Sequence, residues 1–153
     1  MNKWILCRQD RDEKLGNLIS SDEQFECKIW ATIMATDIEL LKKTWYLGMF
    51  AGAAGAFTNQ YCYMGICNSK LYVSVVETFA VERERYNLAI PFQDIKKVKV
   101  KGGILPKRKV VYLYGADNKK MKIAVMLNAI GSDIKDQEPN ALKFFELLSA
   151  IHQ

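Results

Sequence analysis

Tyr63-Met64-Gly65-Ile66-Cys67-Asn68-Ser69-Lys70-Leu71-Tyr72-Val73 holds two largely apolar runs around a short polar break. Runs of this length on either side of an Asn-Ser-Lys turn signal a β-hairpin, with strands over 61–67 and 71–77. Upstream, residues 25–34 alternate. Phe25, Cys27, Ile29, Ala31 and Ile33 fall on one side, and Glu26, Lys28, Trp30 and Thr32 on the other. A period of two over that length predicts a strand with one face on the core.

Downstream the strand signals continue. A polar segment over 81–85 leads into Leu88-Ala89-Ile90-Pro91-Phe92. Proline cannot donate to a ladder, so that strand ends at Pro91 or lies at an edge. Residues 95–101 form a strand with Val98 and Val100 inward and Lys97, Lys99 and Lys101 outward. After a loop over 102–107, residues 110–114 and 120–126 make a second hairpin around Gly115-Ala116-Asp117-Asn118. The chain then turns helical. Pro139 suits a first helical turn. Ala141, Leu142, Phe144, Phe145, Leu147, Leu148 and Ile151 follow at helical spacing, an apolar stripe that must bury itself against the sheet. Leu142, Phe145 and Leu148 are expected to be largely buried.

Two segments interrupt this order. Residues 8–20 read as a short polar helix within an N-terminal extension over 1–22. Residues 36–60 read as an insertion, in which Thr36-Asp37-Ile38-Glu39 matches a capping box for a short helix. Its Gly48-to-Phe57 stretch is rich in Gly and Ala, but no Lys-Ser or Lys-Thr follows and the spacing is not that of a phosphate loop. A tight turn or close backbone crossing explains these glycines more simply. The apolar part, residues 45–57, is too short to span a bilayer as a helix. It packs in the core, at an interface or on a membrane surface.

The chain of 153 residues is read as a single domain. Half its residues are hydrophobic and a quarter charged, with a formal net charge of +5. That balance mildly favours acidic partners. No signal-peptide core opens the sequence, so a cytoplasmic location and reduced thiols at Cys7, Cys27, Cys62 and Cys67 are expected. No metal or cofactor is expected. There is no CxxC pair, and the single histidine, His152, stands next to the C-terminus. Catalysis has equally little to draw on. No base accompanies a Ser or Cys nucleophile, and Glu82 and Glu84 alternate with Arg83 and Arg85 in a self-neutralising run.

Two motifs carry a family resemblance. Residues 63–73 resemble the "glycine, apolar, small, Asn, turn, Lys or Arg, Leu" hairpin of bacterial pleckstrin-homology-like (PH-like) and GRAM-like domains. Ile90-Pro91-Phe92-Gln93-Asp94-Ile95-Lys96-Lys97-Val98 resembles their "Ile-Pro-apolar-x-Asp-Ile-x-x-Val" strand. The resemblance covers residues 23–152. It departs from the pattern at Cys67, where Thr is more usual, and in the extra apolar segment 45–57. It implies a mainly β fold, a small bent antiparallel sheet or barrel closed by a C-terminal amphipathic helix. It also implies a scaffold for binding, with no particular reaction.

The candidate binding residues are Lys97, Lys99, Lys101, Lys107, Arg108 and Lys109, within a 96–109 segment that holds no acidic residue. A non-catalytic module that binds a protein partner or its own copies is the first reading. Peripheral binding of anionic lipid headgroups is the rival, since Ile104 and Leu105 sit between the basic arms. Nucleic acid is the weaker alternative, because no aromatic residue is interleaved among the lysines before Tyr112. The bland reading is a solvated hairpin whose lysines guard an edge. Lys119 and Lys120, at the far end of a strand, are expected to form a separate patch roughly 20 Å away.

Overall fold

The computed structural model describes residues 7–34, 60–77, 80–102, 107–115, 120–128 and 133–151, with backbone alone at 60, 77 and 80–86. The capping box at 36–39, the glycine- and alanine-rich segment, the 103–106 loop tip and His152 lie outside them. Helix α1 (Arg8–Gly16) is followed by β1 (Cys27–Ile33), β2 (Gln60–Cys67), β3 (Lys70–Glu77), β4 (Ala80–Pro91), a 3-10 turn (Phe92–Asp94), β5 (Lys97–Gly102), β6 (Arg108–Tyr114), β7 (Lys120–Met126) and helix α2 (Gln137–Ser149). The strands form one antiparallel sheet in the order β4-β3-β2-β1-β7-β6-β5. Among the described residues no ladder joins β4 to β5, so hydrogen bonds do not close the sheet into a barrel.

Turn chemistry sets the first hairpin as its sequence suggests. Asn68 and Ser69 have φ of 50° and 59°, the left-handed geometry a two-residue hairpin turn requires. Cys67 pairs with Lys70 across it. Strand β4 starts earlier than its apolar run. Residues 81–85 belong to the strand and are not a lead-in: Glu84 pairs with Val76 and Ala80 with Glu77, across register shifts around Val76. Alternating charges in 81–85 are compatible with an edge strand, which only one neighbour covers.

The inner face of the sheet packs on α2. Ile29, Met64, Val73, Ile123 and Leu113 are fully buried there with Phe144 and Leu148. The helix stripe differs from expectation at one point. Phe145 and Leu148 are buried, but Leu142 is 50% exposed. The residues that face the sheet are Ala141, Phe144, Phe145 and Leu148, spaced by three and four, and Leu142 stands one step off that line.

The outer face of β1 and β2 carries a second, smaller core under α1, formed by Leu15, Tyr63, Val76 and Ile134 with Leu18, Phe25, Trp30 and Tyr61 against it. Phe25 belongs to this outer cluster and not to the face of Cys27 and Ile29. The β1 ladder begins at Cys27, so the alternation does not extend back to residue 25. Gly65 makes room for it. A Cβ there would lie 2.6 Å from the Phe25 ring, which packs edge-on to Tyr72 at 5.8 Å.

Buried polar groups fasten the helices to β1. The Gln137 carboxamide accepts from Trp30 N–H at 3.1 Å and donates to Trp30 C=O at 3.0 Å and Met126 C=O at 2.8 Å. Asn140 Oδ1 accepts from Lys28 N–H at 2.9 Å. Arg11, 1% exposed, reaches from α1 to Lys28 C=O and to both oxygens of Asp136. Burial opposes the charge on Arg11, and its bonds to Asp136 and Asp12 more than offset that, so its pKa is raised. Burial likewise opposes ionisation of Asp12 and Asp136. Bonds from Lys28 and Arg11 at Asp12, and from Arg11 at Asp136, overcome it and hold both carboxyls below the usual value.

Two predictions follow from this packing. Gln137→Leu, which strands three backbone groups, is expected to cost about 2–4 kcal/mol in denaturant unfolding. Phe144→Ala should cost about 3–5 kcal/mol and Leu142→Ala within about 0.5 kcal/mol. A Leu142 loss as large as that of Phe144 would refute the assigned helix face. The second concerns acid. Asp12 and Asp136 have folded pKa values below their unfolded values of about 3.9. Their contribution is therefore complete above that pH and is lost as pH falls through the folded values. Arg11→Met should be less stable than the parent at neutral pH, and the gap should narrow below about pH 4. A gap independent of pH would show that the pair contributes nothing through charge.

Candidate functional site

Strand pairing, more than sequence proximity, groups the basic residues. Lys97 pairs with Tyr114, and Tyr114 with Lys120 on the other side. Lys99 pairs with Tyr112, and Tyr112 with Lys122. Residues paired across antiparallel strands share a face, so these two rungs lie side by side on the outer face of β5-β6-β7. Lys101 and Arg108 have the same parity. No acidic residue occurs in these three strands.

Tyr112 and Tyr114 are stacked with ring centroids 6.5 Å apart and an interplanar angle of 18°. Ammonium groups gather over them. Lys101 and Lys120 each stand 5.3 Å from the Tyr112 centroid and Lys122 stands 5.7 Å from it. Lys97 is 5.8 Å and Lys120 5.7 Å from the Tyr114 centroid. Each such contact contributes about 0.5–1 kcal/mol at an exposed site. The rings thus act as weak counter-charges for lysines that have no carboxylate partner among the described residues.

The candidate residues divide between two sides of the sheet. Lys97, Lys99, Lys101 and Arg108 belong to the outer face, where Arg108 also donates to Met34 Sδ at 3.5 Å. Lys107 and Lys109 turn toward α2. Lys107 lies 3.8 Å from Glu138, and Lys109 stands 5.3 Å over the Phe145 ring. The expected separation into two patches holds for Arg108, whose rung with Met126 is six residues along the ladder from Lys120, roughly 20 Å, but not for Lys97 and Lys99. Lys120 is one strand away from Tyr114 and two from Lys97. Neighbouring strands lie about 4.8 Å apart, so the β5 and β7 lysines are about 10 Å from each other, roughly one Debye length. Lys119 lies outside the described residues.

Sequence reasoning missed Tyr112, Tyr114 and Lys122 as members of this face. Their signal was present. Tyr112 and Tyr114 alternate with buried Val111 and Leu113, and Lys120 and Lys122 alternate with buried Met121 and Ile123. Folding the second hairpin on itself would have aligned them.

Other parts of the surface hold less. An open depression beside α1 is lined by Arg8, Gln9, Asp12, Glu13 and Asp133. Its charges are engaged locally. Arg8 N–H donates to Asp133 at 2.7 Å, and Asp12 pairs with Arg11 and Lys28. The three buried thiols are poor nucleophiles. Burial pushes Cys27 up to about 12 and raises Cys62 further, and burial followed by the nearby Glu23 raises Cys67. None of the four cysteines forms a disulfide. No helix among the described residues is long and apolar enough to cross a membrane.

No family model and no curated protein matches the chain. Solved structures do. The chain is similar to the hSac2 domain from the human phosphoinositide phosphatase Sac2, at 14% identity over 92% of this chain and 76% of that one, with a TM-score of 0.50. It is also similar to the C-terminal domain of an unknown protein from Leishmania infantum, at 10% identity over 90% and 93% of the two chains, with a TM-score of 0.49. The fold is mainly β, a seven-stranded antiparallel sheet with a C-terminal helix, in the PH-like arrangement.

The thiol geometry is directly testable. Cys7 alone of the four is not buried. Iodoacetamide at mildly alkaline pH should modify Cys7 first, and Cys27 and Cys62 only once denaturant opens the fold. Early labelling of Cys62, followed by peptide mass mapping, would contradict its burial.

Proposed function

We propose that this chain is a non-catalytic interaction module whose binding surface is the outer face of β5-β6-β7, and that its partner is acidic. The observation that carries this reading is the position of Lys120 and Lys122. Lysines on β5 are accounted for by edge protection, since β5 ends the sheet. Strand β7 lies inside the sheet, between β1 and β6, and at Lys122 its backbone accepts from Met34 N–H, so no open edge needs guarding there. Lysines on an interior strand, continuous with those on the edge and unmixed with acids, fit a surface kept for an anionic partner.

The PH-like fold, the resemblance of residues 63–73 and 90–98 to bacterial PH-like and GRAM-like domains, and the high-pKa thiols all support a binding module over an enzyme. A cytoplasmic location fits four cysteines outside any disulfide. An acidic protein surface is the broadest class of partner that satisfies the charge. Anionic lipid is the second reading, favoured by the sequence of the 103–106 segment, Gly103-Ile104-Leu105-Pro106, which connects β5 to β6.

Retention on a heparin column tests the face as a generic anion binder. Replacing Lys97, Lys99, Lys120 and Lys122 by Ser should lower the eluting salt concentration markedly. Replacing Lys107 and Lys109 by Ser should change it little, since those side chains turn toward α2. Equal shifts per charge removed in the two sets would show diffuse attraction and remove the assigned face.

A further inference from the structure

The same face has a second recognition chemistry between its charges, and the following inference rests on the acidic-partner reading above. An anion alone would need only the lysines. The rungs instead alternate positive, aromatic, positive: Lys97-Tyr114-Lys120 and Lys99-Tyr112-Lys122. The two rings are nearly parallel at 18° and 6.5 Å apart. They lie on the flat of the sheet, half-buried, with lysines on both sides. A lipid headgroup or an acidic side chain supplies charge but no flat ring to lay on a tyrosine. A single-stranded nucleic acid supplies both at every residue, a phosphate and an unpaired base. In a duplex the base faces are stacked on one another and cannot reach the rings.

We propose that the outer face of β5-β6-β7 binds single-stranded nucleic acid, with bases stacked on Tyr112 and Tyr114 and phosphates on Lys97, Lys99, Lys120 and Lys122. The ammonium groups that stand over the rings in the unbound protein swing outward to the backbone phosphates, which are stronger counter-charges, and so uncover the ring faces. The recognition is tolerant of sequence, because every base has a stacking face and no base-edge reader is built into the rungs.

Fluorescence anisotropy with a labelled oligo(dT), the same strand as a dT·dA duplex, polyglutamate competition, and co-sedimentation with phosphatidylserine vesicles separate the possibilities. The single strand should bind at least about ten-fold tighter than the duplex. Tyr112→Leu with Tyr114→Leu should weaken single-strand binding by about ten-fold or more and leave the salt slope unchanged. Tyr112→Phe with Tyr114→Phe should retain binding, because the stacking face remains. Lys122→Ser should reduce the slope of log affinity against log salt by about 0.7, one phosphate contact. Circular dichroism and the unfolding midpoint check that each variant is folded. Equal binding of single strand and duplex, unaffected by Tyr→Leu, overturns the nucleic-acid assignment and leaves the acidic-partner face intact. So does preferential binding to phosphatidylserine vesicles or displacement by polyglutamate at equal charge. Binding to none of these probes, with no retention on heparin, overturns both.

Discussion

The structure depends on how the β7-facing edge of β1 is satisfied. A buried strand edge must find a partner for every second backbone N–H and C=O. On β1 these belong to Lys28, Trp30, Thr32 and Met34. Strand β7 supplies only the last part, pairing with β1 at Thr32 and Ile33 and accepting from Met34 N–H. At Trp30 the partner is the Gln137 carboxamide, which takes both backbone groups and also holds Met126 C=O, near where β7 ends. At Lys28 the partners are Asn140 and Arg11. Side chains of the two helices thus continue the ladder that β7 abandons. That substitution lets the two halves of the sheet part without leaving polar groups unpaired, and α2 enters beneath the opening.

The candidate site is a consequence of this seam. Helix α1 is anchored by Arg11 to Lys28 and Asp136, so it covers the outer face of the β1-β2 half. Among the described residues, α1 does not extend over the outer face of β5-β6-β7. A sheet face in water must be polar, and lysine meets that need with long stems that can lie along apolar neighbours. Solubility is therefore one reason for the basic character of the β5-β6-β7 face.

The sequence conveyed the strands well because their patterning is local. Alternation in 27–33 and the Asn68-Ser69 turn depend on neighbouring residues, and both hold in the structure. It conveyed less wherever a partner decided the outcome. Strand β4 extends to Ala80 because β3 lies beside it, and nothing in its charged residues announces that. Phe25 crosses to the outer face because Gly65 leaves room for its ring. Leu142 is exposed because it stands one residue off the line of Ala141, Phe144, Phe145 and Leu148 that meets the sheet. The candidate site was half legible for the same reason. The lysines of β5 are consecutive alternates in the chain, but Tyr112, Tyr114 and Lys122 join them only through cross-strand register.

The composition of that face bears on its purpose. Opposite charges paired across strands add about 0.2–1 kcal/mol each, and like charges directly opposite subtract a similar amount. A face selected only for solubility and stability would mix the signs, and mixing is also the safer choice against non-specific binding. Here β5, β6 and β7 hold no acid at all. The tyrosines moderate the resulting repulsion. Every Lys97-to-Lys120 and Lys99-to-Lys122 approach passes over a ring, and no two of these lysines are direct cross-strand partners. An arrangement that spaces its positive charges with aromatic rings is stable enough to fold and leaves those lysines without a carboxylate partner among the described residues. On the function proposed above, that residual charge is what an anionic partner would neutralise on binding, and the rings between the lysines are what it would meet once the ammonium groups had turned to it.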